Sequence, residues 1–181
     1  RNYPPSILLY GIAGAGKTAL VSQLSGAYLF DFDRGMRTAA TLKDKFFSAR
    51  QLIEFDEYID ENPAAPRAYQ DALKKLNSFV DLASKKQLPF DAIVIDSLTS
   101  LCKYSQLHVQ SLGGKNNPMG DPFARMEIQN YGSLIHVVEK FLTLLRGLSI
   151  LTVVVAHVDV EEDAVPGKIG EFRITSKFAK S

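Results

Sequence analysis

Residues 7–18, which read ILLYGIAGAGKT, decide the fold of this 181-residue chain. The apolar run at residues 7–10 is typical of a buried β-strand, and the glycine at residue 11 ends it. Residues 17–24 then carry apolar side chains at helical spacing, and the Ser-Gly pair at residues 25–26 ends that helix. The stretch therefore predicts a strand, a glycine-rich turn and a helix in direct succession.

The turn has the composition of a phosphate-binding loop. Residues 11–18 match the pattern G-x-x-x-x-G-K-[ST] in full, and five of the six residues before the lysine are Gly or Ala. Small residues let several backbone N–H groups point into one concave loop, and the following helix adds the positive end of its dipole. The predicted nucleotide-binding residues are Gly11, Ala13, Gly14, Ala15, Gly16, Lys17, Thr18 and Ala19.

Three side chains have predicted roles at the phosphates and the metal. Lys17 supplies a mobile positive charge for the β- and γ-phosphates, and the Thr18 hydroxyl is placed to ligate Mg²⁺. Residues 93–97 (IVIDS) end an apolar strand with Asp96, which we expect to hold a metal-bound water. Without the loop, an Asp-Ser pair after a strand would equally predict a helix N-cap.

Hydrolysis also needs a group that orients water, and two further strand ends offer candidates. Residues 28–33 (YLFDFD) end with Asp31 and Asp33 at i and i+2, so both side chains point to one side of the strand. We predict that Asp33 is the water-polarising base, with Asp31 as the second choice and a turn role as the alternative. Residues 153–157 (VVVAH) end in His157, for which we predict a role in sensing the γ-phosphate. The predicted catalytic residues are Lys17, Asp33 and His157.

The rest of the chain alternates between strand and helix patterns. Further strands are predicted at residues 28–32, 51–55 (at the sheet edge), 91–95 and 149–156. Further helices are predicted at residues 66–83, 97–110 and 121–147, the last with Gly132 as a candidate kink. Residues 36–47 are ambiguous, and residues 111–122 form a loop. Continuously apolar strands separated by helices predict a three-layer α/β fold with a mainly parallel sheet, which binds ligands at the carboxyl ends of its strands.

Composition limits the possible classes of protein. Apolar residues make up 46% and charged residues 23%, which excludes a disordered or collagen-like chain. The net charge of +1 gives no global electrostatic argument for nucleic-acid binding, and no apolar stretch is long enough for a membrane span. The single cysteine, Cys102, predicts a buried thiol in a cytoplasmic protein. We expect one domain over residues 1–181, with an incomplete C-terminal segment.

Four segments together resemble the phage-encoded RecA-like P-loop proteins, the AAA-type ATPases of phage recombination modules. The segments are residues 10–18 (YGIAGAGKT), 29–35 (LFDFDRG), 93–97 (IVIDS) and 154–157 (VVAH). The resemblance covers about residues 6–159. It implies ATP (or ADP) and Mg²⁺ as cofactors, and a RecA-like core in which the strand that ends at His157 lies between the phosphate-loop strand and the Asp96 strand. The family usually has Glu where this chain has Asp33, so we expect a changed attack geometry but normal nucleotide binding.

The resemblance also implies macromolecular partners. RecA-like proteins contact single-stranded DNA through two loops, which correspond here to residues 111–122 and 158–172. The polar and basic candidates are Lys115, Asn116, Asn117, Lys168, Arg173 and Lys177. The family further implies a single-strand DNA-binding protein as a partner and a homo-oligomeric ring or filament. In such an assembly Arg125, Lys168 or Arg173 would reach the γ-phosphate of a neighbouring subunit.

Three functions stay open at this point. The leading hypothesis is an ATPase that acts on single-stranded DNA in phage-type recombination or annealing. A small-molecule or nucleotide kinase could use the same loop, but the chain has few clustered arginines, and the acid and histidine at strand ends favour water as the acceptor. A nucleotide-dependent binding switch with little turnover is the third hypothesis, because Asp33 is shorter than the usual Glu.

Overall fold

The structure is a computed structural model that describes residues 4–37, 39, 53–113, 120–121, 128–162 and 172–175. The strands are β1 (Ser6–Gly11), β2 (Ala27–Asp31), β3 (Glu54–Glu57), β4 (Ala92–Asp96), β5 (Leu151–His157), β6 (Asp159–Glu162) and β7 (Phe172–Thr175). Four helices of the described part flank the strands in the chain: α1 (Lys17–Val21), α2 (Ala68–Ser84), α3 (Leu98–Ser111) and α4 (Ile128–Gly147).

Five strands form one parallel sheet in the order β1-β5-β4-β2-β3. The predicted α/β class with a parallel sheet is therefore confirmed, and β5 lies between β1 and β4 as the resemblance implies. The register aligns the carboxyl ends of the strands, since Gly11 lies beside His157 and Asp31 lies beside Asp96. The residues that follow these four strands consequently meet at one edge of the sheet.

Each face of the sheet packs against its own set of helices. The face that carries Phe30 and Ile95 packs against α2, α3 and α4 in a large aromatic and aliphatic cluster. The opposite face, which carries Leu29, Val94 and Val155, packs in a second cluster that includes Val21 of α1. Because successive residues of a strand alternate between faces, Asp31 and Asp96 belong to the α1 side. That is the side on which the phosphate-loop helix begins.

Aromatic packing holds β2, the strand that leads to Asp33. Phe30 is fully buried, and its ring centroid lies 5.0 Å from that of Tyr28, 5.3 Å from Tyr58 and 5.8 Å from Phe141. The Tyr28 hydroxyl donates to Asp56 Oδ2 at 2.6 Å, so the Tyr58 hydroxyl must donate to the Tyr28 oxygen across their 2.8 Å contact. These contacts join β2 to β3 and its following residues and leave little freedom for the carboxyl end of β2.

The observed elements correct some of the predicted boundaries. Strand β3 lies at the sheet edge as predicted but begins at Glu54, and residues 51–52 fall outside the described part. Helix α2 begins at Ala68, two residues later than predicted, because the Asp60 carboxylate accepts the backbone N–H groups of Arg67 (2.6 Å) and Ala68 (2.8 Å). The Asp60 side chain thus takes the place of an N-cap side chain from residue 67.

The C-terminal half differs from prediction in two places. Helix α4 is described from Ile128 and runs through Gly132, while residues 122–127 lie outside the described part. Strand β6 follows β5 after one residue and forms an antiparallel pair with β7, and no strand was predicted from the sequence at either position. Cys102 is buried as expected. Within the described ranges, no helix has the length and hydropathy that crossing a membrane requires.

Candidate functional site

The loop between β1 and α1 has the backbone geometry of an anion cradle. Gly14 and Gly16 have φ values of 79° and 81°, in the left-handed region where a Cβ would be strained. Gly16 is also the N-cap of α1, so the first N–H groups of that helix face the loop. The loop borders a cavity of about 270 Å³ whose lining comprises Gly14, Ala15, Gly16, Lys17, Thr18, Ala19, Gly35, Ala39 and His157.

The Lys17 ammonium lies against the loop that precedes it. Its Nζ donates to the carbonyl oxygens of Gly11 at 2.9 Å and Ile12 at 2.8 Å, and only 7% of the residue is exposed. Carbonyl oxygens are neutral acceptors, whereas a phosphate oxygen is an anionic acceptor that forms a stronger hydrogen bond. The side chain can therefore exchange these carbonyls for a phosphate without leaving the cavity wall.

Thr18, which lines the cavity, is hydrogen-bonded to the buried Asp96. The Thr18 hydroxyl donates to Asp96 Oδ2 at 2.6 Å, and Asp96 is 1% exposed. Burial raises the pKa of the Asp96 carboxyl above its ordinary value, and the hydrogen bond from Thr18 opposes that shift. Among the residues that the structure describes, none donates to Asp96 Oδ1, although that atom is buried. A buried carboxylate oxygen without a donor, next to a hydroxyl, suits a divalent cation or the water bound to it.

Asp33 contacts His157, which is a lining residue of the same cavity. His157 Nε2 and Asp33 Oδ2 are 3.0 Å apart, and because a carboxylate only accepts, Nε2 is the donor. The other carboxylate oxygen, Oδ1, accepts a hydrogen bond from the Ser100 hydroxyl. The backbone N–H of His157 donates to Thr99 Oγ1 at 3.1 Å. The ends of β2 and β5 are thus joined both to each other and to the first turn of α3.

Asp31, the second choice for the base, is committed to the turn after β2. It is fully buried, and its carboxylate accepts the backbone N–H groups of Asp33 (3.0 Å), Gly35 (3.1 Å) and Met36 (2.9 Å). Burial raises the pKa of Asp31, and the three N–H donors act in the opposite direction. Asp31 therefore shapes the segment that presents Asp33 rather than reaching into the cavity itself.

The two carboxylates and the imidazole form one compact group. Asp33, Asp96 and His157 each place a potential ligand atom within 4.8 Å of those of the other two. Asp96 and His157 lie on β4 and β5 and Asp33 follows β2 by two residues, so residues 61 or more positions apart come together at this edge of the sheet. The convergence of strand ends that the sequence analysis expected is therefore present in the structure.

Comparison with known proteins identifies the family. A family model described as the AAA domain matches residues 3–181 of the chain. The chain belongs to the AAA domain family. Its nucleotide-binding character follows from that membership, and it agrees with the phosphate-loop sequence at residues 11–18.

Among solved structures, this AAA domain is similar to a KaiC-like protein from the hyperthermophilic archaeon Pyrococcus horikoshii OT3. The two chains are 14% identical with a TM-score of 0.41, and the alignment covers 97% of this chain and 83% of that one. The search of curated proteins found no significant match.

Three residues of the AAA domain's site escaped the sequence analysis. Gly35 lies so close to Thr18 that a Cβ on it would be 2.8 Å from Thr18 Cγ2. Thr99 and Ser100 hold the ends of β5 and β2, as described above. In the sequence, a Ser-Leu-Thr-Ser run after a strand indicates only a helix N-terminus, and Gly35 indicates only a turn. The contacts of these three residues join segments that are far apart in the chain, so no pattern of neighbouring residues predicts them.

The candidate DNA-contacting and trans-acting residues lie mainly outside the described part of this AAA domain. Those outside it are Lys115, Asn116, Asn117, Arg125, Lys168 and Lys177. Arg173 lies on β7, at the register position opposite Glu161 of β6. The second predicted DNA loop, residues 158–172, therefore includes strand β6 and the first residue of β7.

Proposed function

We propose that this AAA domain is a Mg²⁺-dependent ATPase of the RecA-like type that acts on single-stranded DNA. One observation carries the ATPase part of the proposal. Three strand ends bring Asp33, Asp96 and His157 within 4.8 Å of one another, beside a cavity lined by the phosphate loop. A general base and a metal-side carboxylate beside a phosphate cradle are groups that attack of water on a γ-phosphate uses, and the imidazole of His157 lies next to them.

The loop residues would bind and orient the triphosphate. The backbone N–H groups at the α1 N-terminus face the phosphates, and the dipole of the helix favours their negative charge. Lys17 moves its ammonium from the carbonyls of Gly11 and Ile12 to the β- and γ-phosphate oxygens. This exchange supplies positive charge where negative charge develops in the transition state.

Thr18 and Asp96 would hold the magnesium ion. The Thr18 hydroxyl is the expected direct ligand, and Asp96 Oδ1, to which no described residue donates, is available to accept a hydrogen bond from a water on the metal. When bound, the ion neutralises phosphate charge. The raised pKa of Asp96 reflects the cost of burying this carboxylate without a cation, and a bound cation would offset that cost.

Asp33 would accept the proton of the attacking water, and His157 would contact the γ-phosphate. Each carboxylate oxygen has two lone-pair directions, so the bond to Ser100 or His157 leaves room for a water on the same oxygen. The His157 ring bridges the base and the phosphate side of the cavity. The imidazole could therefore exchange its contact with Asp33 for one with the γ-phosphate.

The DNA part of the proposal rests on the resemblance to phage recombination proteins together with the position of the β6–β7 pair. Strand β6 begins two residues after His157, so the chain runs from the cavity-lining end of β5 into this pair. DNA bound at the hairpin would thus lie next to the γ-phosphate sensor. We further propose that residues 1–181 act as one domain within a homo-oligomer, in phage-type recombination and together with a single-strand DNA-binding protein.

A nucleotide-dependent switch with little turnover is the second candidate. The observation that favours it is the Asp33 carboxylate, both of whose oxygens already accept hydrogen bonds from Ser100 and His157. If the contact with His157 persists when nucleotide binds, a base held in this way accepts the proton of the attacking water slowly. Such a protein would bind nucleotide tightly and change its affinity for DNA without cycling.

Phosphate release from ATP, measured with Mg²⁺ in the presence and absence of single-stranded DNA, tests the proposal. Release that DNA stimulates supports the DNA-dependent ATPase. Tight binding of ATP with no release above that of the Asp33→Ala variant supports the switch. Transfer of the γ-phosphate to an added nucleoside, rather than to water, would overturn both and indicate a kinase.

A further inference from the structure

We propose that Ser100 is a positioning residue that orients the Asp33 carboxylate for attack of water, an inference that rests on the ATPase function proposed above. The Ser100 hydroxyl donates to Asp33 Oδ1, and the two residues are 67 positions apart in the chain. Ser100 belongs to the first turn of α3, directly after the strand that ends in Asp96. The contact therefore joins the base-bearing and the metal-bearing ends of two strands.

Comparison with other serines shows that this contact is not the usual use of a helical hydroxyl. Hydroxyls of serines in or next to helices commonly bond to a carbonyl three or four residues earlier in the same segment. Ser22, Ser78, Ser84, Ser105 and Ser111 all donate to such carbonyls here. Ser100 donates to a carboxylate of another element instead. Its hydroxyl therefore serves a tertiary contact.

The stability of α3 does not require the Ser100 hydroxyl. Ser97 is the N-cap of the helix, and its side chain accepts the backbone N–H of Ser100 at 3.3 Å. That bond uses the main chain of Ser100 and is retained when the side chain is replaced. Removal of the hydroxyl should therefore leave the N-terminus of the helix capped.

Two donors fix the plane of the Asp33 carboxylate. Ser100 donates to Oδ1 and His157 Nε2 donates to Oδ2, so rotation about the Cβ–Cγ bond breaks at least one hydrogen bond. A base must point a lone pair at the proton that it accepts, and small errors in orientation lower the rate of attack. Without Ser100, only the contact with His157 would remain to orient the carboxylate among the described residues. His157 also lines the cavity, and its Nε2 alone cannot donate to both Asp33 and the γ-phosphate.

Steady-state ATP hydrolysis by the Ser100→Ala and Ser100→Thr variants of the full chain tests this inference. We expect Ser100→Ala to lower kcat by about tenfold, as for loss of one hydrogen bond to a charged group, with KM within about twofold of wild type. Ser100→Thr keeps a hydroxyl at the same position and should restore kcat to within about threefold of wild type. A merely structural role would not produce this division between kcat and KM, nor recovery by threonine.

The matched control is Ser78→Ala, the same change in α2 at an exposed serine whose hydroxyl bonds only to the carbonyl of Lys75. It should leave kcat unchanged, and thermal melts should show all three variants folded. An unchanged kcat in Ser100→Ala while the wild type hydrolyses ATP overturns the positioning role alone. Equal loss in the alanine and threonine variants also overturns it. Absence of hydrolysis by the wild type overturns the proposed ATPase, and the positioning role with it.

Discussion

The substitution Gly35→Ala should weaken Mg²⁺-dependent nucleotide binding, although Gly35 is outside the phosphate loop. A Cβ at this position would lie 2.8 Å from Thr18 Cγ2 and 2.9 Å from Thr18 Oγ1, closer than real Cβ contacts come. The backbone of Gly35 is not in the left-handed region, so alanine is compatible with its conformation. The added methyl group must therefore push the Thr18 side chain away.

The size of the effect follows from the bond that Thr18 would lose. To reach an ordinary contact distance, the Thr18 side chain must withdraw by several tenths of an ångström, which weakens its 2.6 Å hydrogen bond to Asp96 and displaces the hydroxyl that would ligate the metal. A hydrogen bond to a charged group contributes about 1.5–3 kcal/mol. Because about 1.4 kcal/mol corresponds to tenfold in affinity, we expect Mg²⁺–nucleotide to bind about 10- to 100-fold more weakly.

Isothermal titration with a non-hydrolysable ATP analogue measures this effect. The affinity should fall in the presence of Mg²⁺ and stay within about threefold of wild type in EDTA, because the phosphate loop is unchanged. Gly132→Ala is the matched control, since a Cβ there meets nothing within 4 Å and the residue lies inside α4. An unchanged affinity with Mg²⁺ in a folded Gly35→Ala protein would refute the proposed link between Gly35, Thr18 and the metal.

Three further substitutions test other parts of the structure. Lys17→Ala should weaken binding of the ATP analogue by about tenfold or more, because the ammonium that faces the phosphates is lost; near-normal binding in a titration would contradict the cradle assignment. His157→Ala should leave analogue affinity within about threefold but lower phosphate release, and equal loss of both would make the imidazole merely structural. Asp56→Asn should lower the melting temperature at neutral pH, because the hydrogen bond from Tyr28 keeps the pKa of Asp56 below its ordinary value and so stabilises the folded state at pH above that value. The difference from wild type should shrink as pH falls through the lowered pKa, below about pH 4, and a difference that stays constant down to pH 2 would refute this explanation. Asp81→Asn, at an exposed Lys85 pair on α2, is its control and should change the melting temperature little.

Most of the sheet could be predicted from the sequence because its strands are continuously apolar. Three of the five strands, β2, β4 and β5, carry the apolar runs that a strand buried on both faces requires. Strand β1 carries a similar run, but the prediction that it is buried was wrong, because β1 lies at the other edge of the sheet and Ile7, Leu8 and Tyr10 are exposed. Strand β3 (EFDE) is half exposed at the sheet edge, so its pattern is weak and its boundary was misplaced. The β6–β7 pair was missed because short antiparallel strands rich in charged residues carry little local signal.

The local chemistry of the site was likewise predictable from single segments. The phosphate loop needs only residues that are adjacent in the chain, since its small side chains and its position before a helix are sequence properties. Asp33, Asp96 and His157 could be predicted to lie close together because each ends or directly follows an apolar strand, and parallel strands end at one edge of a sheet. The choice between Asp31 and Asp33 could not be made from spacing, because both point to the same side of β2.

The sequence alone thus determined the strand–loop–helix unit and the polar residues at the strand ends, because both depend on neighbouring residues and on periodicity. Tertiary structure decided which of these residues touch one another: Asp31 accepts three backbone N–H groups, Asp33 contacts Ser100 and His157, and Gly35 packs against Thr18. Such contacts depend on strand order and register, which place residues far apart in the chain within a few ångströms. The physical reason is that hydrogen bonds and close packing act over distances in space, whereas sequence patterns record only spacing along the chain.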